Sequence, residues 1–248
     1  MRVSQRRVAL IVLALAGLTT APVFAGIIGP LVIIEAQNEG GTGQVVVAPN
    51  ASWYEPTTGT WTWRLAESTE IRDPESHELI GTLNEADVRF VDDPVLTLAF
   101  SVTAGDQATT FSIKTALLVI SPPLTSAQGQ ASAAVVATDT DGTGVNLRGL
   151  GGVGGDKVYL AHYNGFVPNG TPFAELLTTL SAGAYGSAAG SSNVPLTPIA
   201  GTVNDMSSML HFELSARDLA SGTTVYEVVP EPAALAVMVL LGWLVRRR

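Results

Sequence analysis

Apolar and polar positions alternate along much of the middle of the chain, and this pattern predicts β-strands. In residues 95–102 every second side chain is apolar, and residues 111–119 repeat the pattern. A short link that contains Gly105 and Asp106 joins the two runs, which predicts a β-hairpin. The other segments predicted as strands are residues 31–34, 44–47, 60–65, 88–91, 131–138, 158–164, 209–214 and 223–228.

These roughly ten strands, with turn residues between them, favour an all-β fold of the antiparallel β-sandwich or jelly-roll type. A parallel α/β fold would need crossover helices for which the chain has no room. One short helix is predicted after Thr171 and Pro172, because apolar residues follow at helical spacing at positions 173, 176, 177 and 180. Residues 181–202 are rich in Ala, Gly and Ser and predict a long surface loop.

The N-terminus has a different pattern, that of an export signal. Three arginines precede an apolar run at residues 8–18, and small or branched residues follow at positions 23 and 25. This order predicts a secretory signal peptide, residues 1–25, that is cleaved after Ala25. Eleven apolar residues are too few for a membrane span, which needs about 20.

The C-terminus, residues 229–248, combines a proline-rich breaker, a 13-residue apolar run and the basic stop Arg246, Arg247 and Arg248. The run predicts a single, short transmembrane helix of about 20 Å, against a hydrocarbon core of about 30 Å. The arginines are expected on the cytoplasmic side. The body between the two signals, residues 26–228, is then expected outside the membrane.

Pro230, Glu231 and Pro232, together with the apolar run and the terminal arginines, resemble the PEP-CTERM sorting signal of Gram-negative bacteria. The resemblance covers about the last twenty residues. It implies that Pro230, Glu231 and Pro232 are recognised by an exosortase, a membrane-embedded processing enzyme. It also implies an inner-membrane-anchored precursor that is released or attached at the cell surface, often in cells that make exopolysaccharide.

Charge and composition limit the classes of function that are expected for the body, residues 26–228. Residues 26–231 contain 7 basic and 22 acidic residues, a net charge of −15, so nucleic-acid binding is not expected. The chain has no cysteine, which excludes disulfides and thiolate metal sites. We find no nucleophile elbow or phosphate-binding loop, and we therefore expect no catalytic activity. His211 and Glu213 share one face of a predicted strand, but the three histidines lack helical metal-site spacing.

Two segments are candidates for ligand binding. Asp139, Asp141 and Asn146 place oxygen ligands around a glycine turn and form a candidate calcium site, the one cofactor that the sequence suggests. A plain Asp-Gly turn between strands explains the same residues. Trp61 and Trp63 share one strand face and form a candidate sugar-stacking platform, although packing of both in the sandwich core is the favoured interpretation.

The sequence therefore predicts an exported structural protein of the cell surface or extracellular matrix, sorted by an exosortase through a transient stay in the inner membrane. A carbohydrate-binding adhesin associated with exopolysaccharide is the first alternative, motivated by the tryptophans. An exported polysaccharide hydrolase is the second, and it would require a cleft with two carboxylates about 5–10 Å apart.

Overall fold

The computed structural model describes residues 26–231, which form sixteen β-strands, one 3-10 turn at Ala51–Trp53 and connecting turns. The predicted signal peptide and the C-terminal apolar run lie outside the described residues. Within residues 26–231 no helix has the length and apolar character needed to cross a membrane. The predicted all-β class is confirmed for this part of the chain.

The strands form two antiparallel sheets of eight strands each. Sheet A contains β1 (Ile27–Asn38), β2 (Gly41–Val47), β8 (Thr109–Leu124), β10 (Val145–Gly149), β11 (Tyr159–Tyr163), β12 (Thr171–Leu176), β13 (Leu180–Ala182) and β15 (Val203–Leu214). Its main path runs β12-β11-β15-β8-β1-β2, and β10 pairs with both β15 and β13.

Sheet B contains β3 (Tyr54–Glu55), β4 (Thr60–Arg64), β5 (Thr69–Arg72), β6 (Leu79–Val91), β7 (Val95–Ala104), β9 (Ala127–Thr138), β14 (Ser187–Ile199) and β16 (Leu219–Pro230). Its main path runs β14-β9-β16-β7-β6-β4-β3, and β5 pairs with the first half of β6.

The hydrophobic core lies between the two sheets. Along β7 every second side chain is buried, as expected for a strand with one face on a core and the other in solvent. Phe100 of sheet B lies 5.9 Å from Phe212 of sheet A, and Phe212 lies 5.8 Å from Phe111, measured between ring centroids. The contact between Phe100 and Phe212 joins the two sheets, which therefore pack as a sandwich.

Each predicted strand segment overlaps a strand of the structure, but the predicted hairpin of residues 95–102 and 111–119 is wrong. The first run is β7 in sheet B, and the second is part of β8 in sheet A. Both runs have a mostly apolar face. Placing them in opposite sheets lets both faces line the core from its two sides, which side-by-side pairing would not do.

The predicted helix and the predicted long loop are also wrong. Residues 171–182 form β12 and β13, and Leu177 between them adopts a left-handed φ of 61° that separates the two strands. Ala174 and Leu176 are buried with a period of two against the core. Residues 187–199 of the predicted loop form β14, which pairs with β9 because backbone hydrogen bonds do not require large side chains.

Candidate functional site

The two ends of the described chain lie at the same end of the sandwich. A Cβ placed on Gly26 would lie 3.0 Å from Oδ1 of Asp92, in the turn between β6 and β7. Near the other terminus, the backbone N–H of Val228 donates to the carbonyl oxygen of Pro94 in the same turn, across 3.0 Å. We call this end, defined by Gly26, residues 92–94, Ser126 and Glu231, the exit end.

The first two residues of the Pro-Glu-Pro motif belong to the folded domain. Pro230 is the last residue of β16 and pairs with Ala127, and the backbone N–H of Glu231 donates to the carbonyl oxygen of Ser126 across 3.2 Å. The domain therefore extends three residues beyond the predicted boundary at 228, to Glu231. Pro232, the predicted cleavage residue Ala25 and the basic stop at 246–248 lie outside the described residues.

The tryptophans predicted as a sugar platform pack inward. Trp61 is 1% exposed, and its ring centroid lies 4.9 Å from that of Tyr54. Trp63 is half-buried, packs against the same core and lies 6.4 Å from Trp53. A stacking platform that includes Trp61 is therefore wrong, because sugar rings stack only on an accessible aromatic face. The core interpretation of the same residues is the correct one.

The predicted calcium residues Asp139 and Asp141 lie at the opposite end of the sandwich, which we call the distal end. Asp218 joins them there: one carboxylate oxygen from each of the three lies within 4.8 Å of the others. Asp139 directly follows β9 and Asp218 directly precedes β16, and the pairing of Thr138 with Leu219 brings the two aspartates together. Asp139 and Asp218 are both buried.

Protein donors already bind these carboxylates. Asp139 accepts from the backbone N–H groups of Asp141 (3.3 Å), Gly142 (3.1 Å) and Tyr185. Asp218 accepts from the backbone N–H of Thr140 across 3.2 Å and from the Ser215 hydroxyl. The cluster thus holds two loops and the start of β16 together.

The two buried carboxyl groups have opposite pKa shifts. Burial alone would raise the pKa of Asp139, but the N–H donors that surround it outweigh that effect and lower the pKa to about 2. For Asp218, burial is the largest influence, and together with the neighbouring Asp139 carboxylate it raises the pKa above 3.8. Asp139 therefore stays ionised to a lower pH than Asp218, which is the one that more readily holds a proton.

Three carboxylates at this separation could provide oxygen ligands for a hard cation such as calcium. Asn146, predicted as the third ligand, lies on β10, where its backbone exchanges hydrogen bonds with Ser215. Asp218 was missed by sequence reasoning because it is 77 positions beyond Asp141, and only the β9–β16 pairing brings it near. The calcium site remains a prediction, and the network of N–H donors explains the same residues as a structural clamp.

No family model and no curated protein matches this chain. Among solved structures, the chain is similar to that of the Gx strain of infectious bursal disease virus, with 12% identity and a TM-score of 0.27. That match covers 83% of this chain and 63% of the viral chain, so the chain spans less than two thirds of it. A mutant VP2 protein from T=1 particles of the same virus is 10% identical, with a TM-score of 0.09. That match covers 84% of this chain and 77% of the VP2 chain.

Proposed function

We propose that this chain is an exported structural protein of the cell surface or extracellular matrix, without catalytic activity of its own. Its body is a β-sandwich of the jelly-roll-like type. An exosortase would process an inner-membrane-anchored precursor at the C-terminal signal. The observation that carries the proposal is the position of Pro230 and Glu231 at the exit end, where Pro230 ends the last strand of the domain and Glu231 follows it.

This arrangement suits a precursor held at the membrane by one end. With twelve residues at about 3.3 Å each, β16 would separate the exit end from the distal end by about 40 Å. A membrane segment after Glu231 would keep the exit end close to the bilayer and let the distal end project away from it. Only a few residues would separate the sandwich from the membrane, because β16 continues to Pro230.

Acidic surface is consistent with an exported domain of this kind. The net charge of −15 over residues 26–231 favours solubility and repulsion between copies.

The hydrolase alternative gains no support from the distal cluster, in which the carboxylates are engaged by backbone donors rather than open to a substrate. The carbohydrate-binding alternative loses its original basis in Trp61, which is buried.

Processing at the motif can be tested in the native host with Glu231→Ala in the full chain. The matched control is Glu75→Ala, which alters a second Pro-Glu pair in an exposed loop far from the C-terminus in sequence. We expect the Glu231 variant to accumulate as an unprocessed precursor in the membrane fraction, while the Glu75 variant is processed normally. Equal processing of both variants would contradict recognition of the motif.

A further inference from the structure

The solvent-facing side of sheet A carries a groove of about 400 Å³ that the proposed function does not use. Its floor is formed by β1, β8 and β15, and the glycine-rich segment after β10 forms one wall. A volume of this size is within the range of small-molecule binding sites in proteins. The groove lies on the face opposite the core, away from both the tryptophans and the aspartate cluster.

The glycine-rich wall, residues 149–155, is held in place on the sheet. The backbone N–H of Leu150 donates to the carbonyl oxygen of His211 across 3.0 Å. The backbone N–H of Val153 donates to both carboxylate oxygens of Glu175, at 3.2 and 3.3 Å. A Cβ at Gly149 would lie 2.4 Å from the carbonyl oxygen of Asp156, so a glycine is required for this close approach. The glycines thus shape a wall of the groove.

Polar side chains from three neighbouring strands converge on the floor. Glu35 of β1 pairs in register with Ser112 of β8, which pairs in register with His211 of β15. All three side chains point to the solvent face and line the groove. Lys114, the next outward residue of β8, forms an ion pair with Glu35. The floor therefore offers hydrogen-bond donors and acceptors side by side.

The charges in the groove balance. The Lys114 ammonium is paired with the Glu35 carboxylate, and both side chains are more than one third exposed. Burial, followed by the nearby Lys114 ammonium, lowers the pKa of His211, which favours a neutral imidazole at neutral pH. With no excess charge on its floor, and within a body of net charge −15, the groove is poorly suited to a phosphate or a carboxylate ligand.

Apolar side chains complete the lining. Leu160 and Met209 are buried beneath the groove, and Leu150 and Pro168 border it. A ligand that fits must present hydroxyl groups to the floor and C–H groups to these apolar contacts. A neutral sugar ring has both kinds of surface, since its hydroxyls lie around the edge and its faces are C–H bonds.

We propose that this groove binds one unit of a neutral glycan, with Glu35, Lys114, Ser112 and His211 contacting its hydroxyls. The proposal differs from the tryptophan platform in its residues and in the sheet that carries them. It is also independent of the export route, because it concerns the folded body alone. Loss of sorting would therefore leave it intact, and absence of sugar binding would leave the sorting proposal intact.

The test uses the full chain in a detergent without a sugar headgroup, titrated with glucose, galactose, mannose and N-acetylglucosamine. Glucuronate and inorganic phosphate serve as anionic comparators. In the unmodified protein, imidazole NMR signals of His211 are expected to shift with at least one neutral sugar, while those of His77, in a loop before β6, stay unchanged. The sugars are added to about 50 mM, a concentration that would detect even a Kd in the millimolar range. No shift of the His211 signals with any neutral sugar at that concentration would overturn the proposal.

Variants then locate the site. Glu35→Gln is expected to weaken sugar binding about tenfold, because a charge-assisted hydrogen bond is lost. Glu85→Gln is the matched control, since Glu85 forms a cross-strand ion pair with Arg64 (3.0 Å) on the outer face of sheet B. Ser112→Phe should abolish binding by filling the groove, and an unchanged melting temperature would show that the variant is folded. Stronger binding of phosphate or glucuronate than of any neutral sugar, or equal effects of the two glutamate variants, would contradict the assignment.

Discussion

The backbone N–H of Glu231 donates a hydrogen bond to the carbonyl oxygen of Ser126 across 3.2 Å. The second residue of the Pro-Glu-Pro motif is therefore attached to the turn between β8 and β9, at the end of the sandwich where the chain also enters. This contact fixes the boundary between the folded domain and the C-terminal signal. It also limits where the chain can be cut without damage to β16.

Truncation at this boundary gives the first prediction. A chain that ends at Glu231 keeps all of β16, whereas one that ends at Glu227 loses Val228, which is fully buried and donates to Pro94. We expect the shorter chain to be less stable by about 2 kcal/mol or more, from lost apolar burial and a lost hydrogen bond. Urea denaturation of the two chains measures the difference. Equal midpoints would show that the domain ends before Val228.

Trp61 gives the second prediction, because its burial assigns it to the core. Trp61→Ala should lower the free energy of unfolding by about 3–5 kcal/mol, the usual cost of removing a large buried aromatic side chain. Trp63→Ala is the matched control on the same strand face, and the smaller burial of Trp63 should give a smaller loss. A Trp61 variant of unchanged stability would contradict its place in the core.

The third prediction concerns pH and Asp139. Its folded pKa of about 2 is below the value of 3.8 expected in the unfolded chain. The stability that it contributes is therefore present above pH 3.8 and is lost as the pH falls toward 2. In the Asp139→Asn variant, the free energy of unfolding should therefore decline less as the pH falls through this window. Asp156→Asn, which changes an aspartate in an exposed loop, is the matched control and should keep the full decline. The same pH slope in both variants would contradict the role of Asp139.

Asp218 gives a prediction of opposite sign. Its folded pKa is raised above 3.8, so its contribution is present at low pH and is lost as the pH rises from 3.8 through the folded pKa. Asp218→Asn, which keeps a neutral group there, should remove this loss. Urea unfolding between pH 3 and 7 measures it as a difference from the unmodified protein. If the substitution made stability fall more steeply with rising pH, the raised pKa would be wrong.

Calcium can be tested at the same cluster. If the three aspartates bind calcium, millimolar calcium should raise the melting temperature of the full chain above that in chelator, because the ion would bind the folded state selectively. Asp141→Asn should remove the increase, since it takes away one of the three carboxylates. An unchanged melting temperature in the unmodified protein would leave the cluster as a loop clamp alone.

Local patterns in the sequence predict the strands well but not how they pair. Alternating burial in β7 is visible as alternating apolar residues, whereas the first half of β14, residues 187–192, is entirely Ala, Gly and Ser and so lacks that contrast. Whether β7 lies beside β8 or across the core from it depends on packing of their apolar faces, which the short link between them does not determine. The predicted hairpin failed for this reason.

The candidate sites show the same limit. Asp139 and Asp141 are neighbours in the sequence and could be predicted together, but Asp218 reaches them only through strand pairing. The groove needs the strand order β1-β8-β15, which brings Glu35 and His211 to either side of Ser112. From the sequence, His211 and Glu213 could be assigned to one strand face, without any indication of their neighbours.

The central claim is that the chain is exported and processed at its C-terminal signal. Mass spectrometry of the C-terminus of the native protein, after separation of membrane, surface and secreted fractions, tests it most directly. Because β16 continues to Pro230, we predict a mature surface or secreted form that ends at or soon after Glu231. An intact Arg248 on protein in the surface or secreted fraction would contradict the claim.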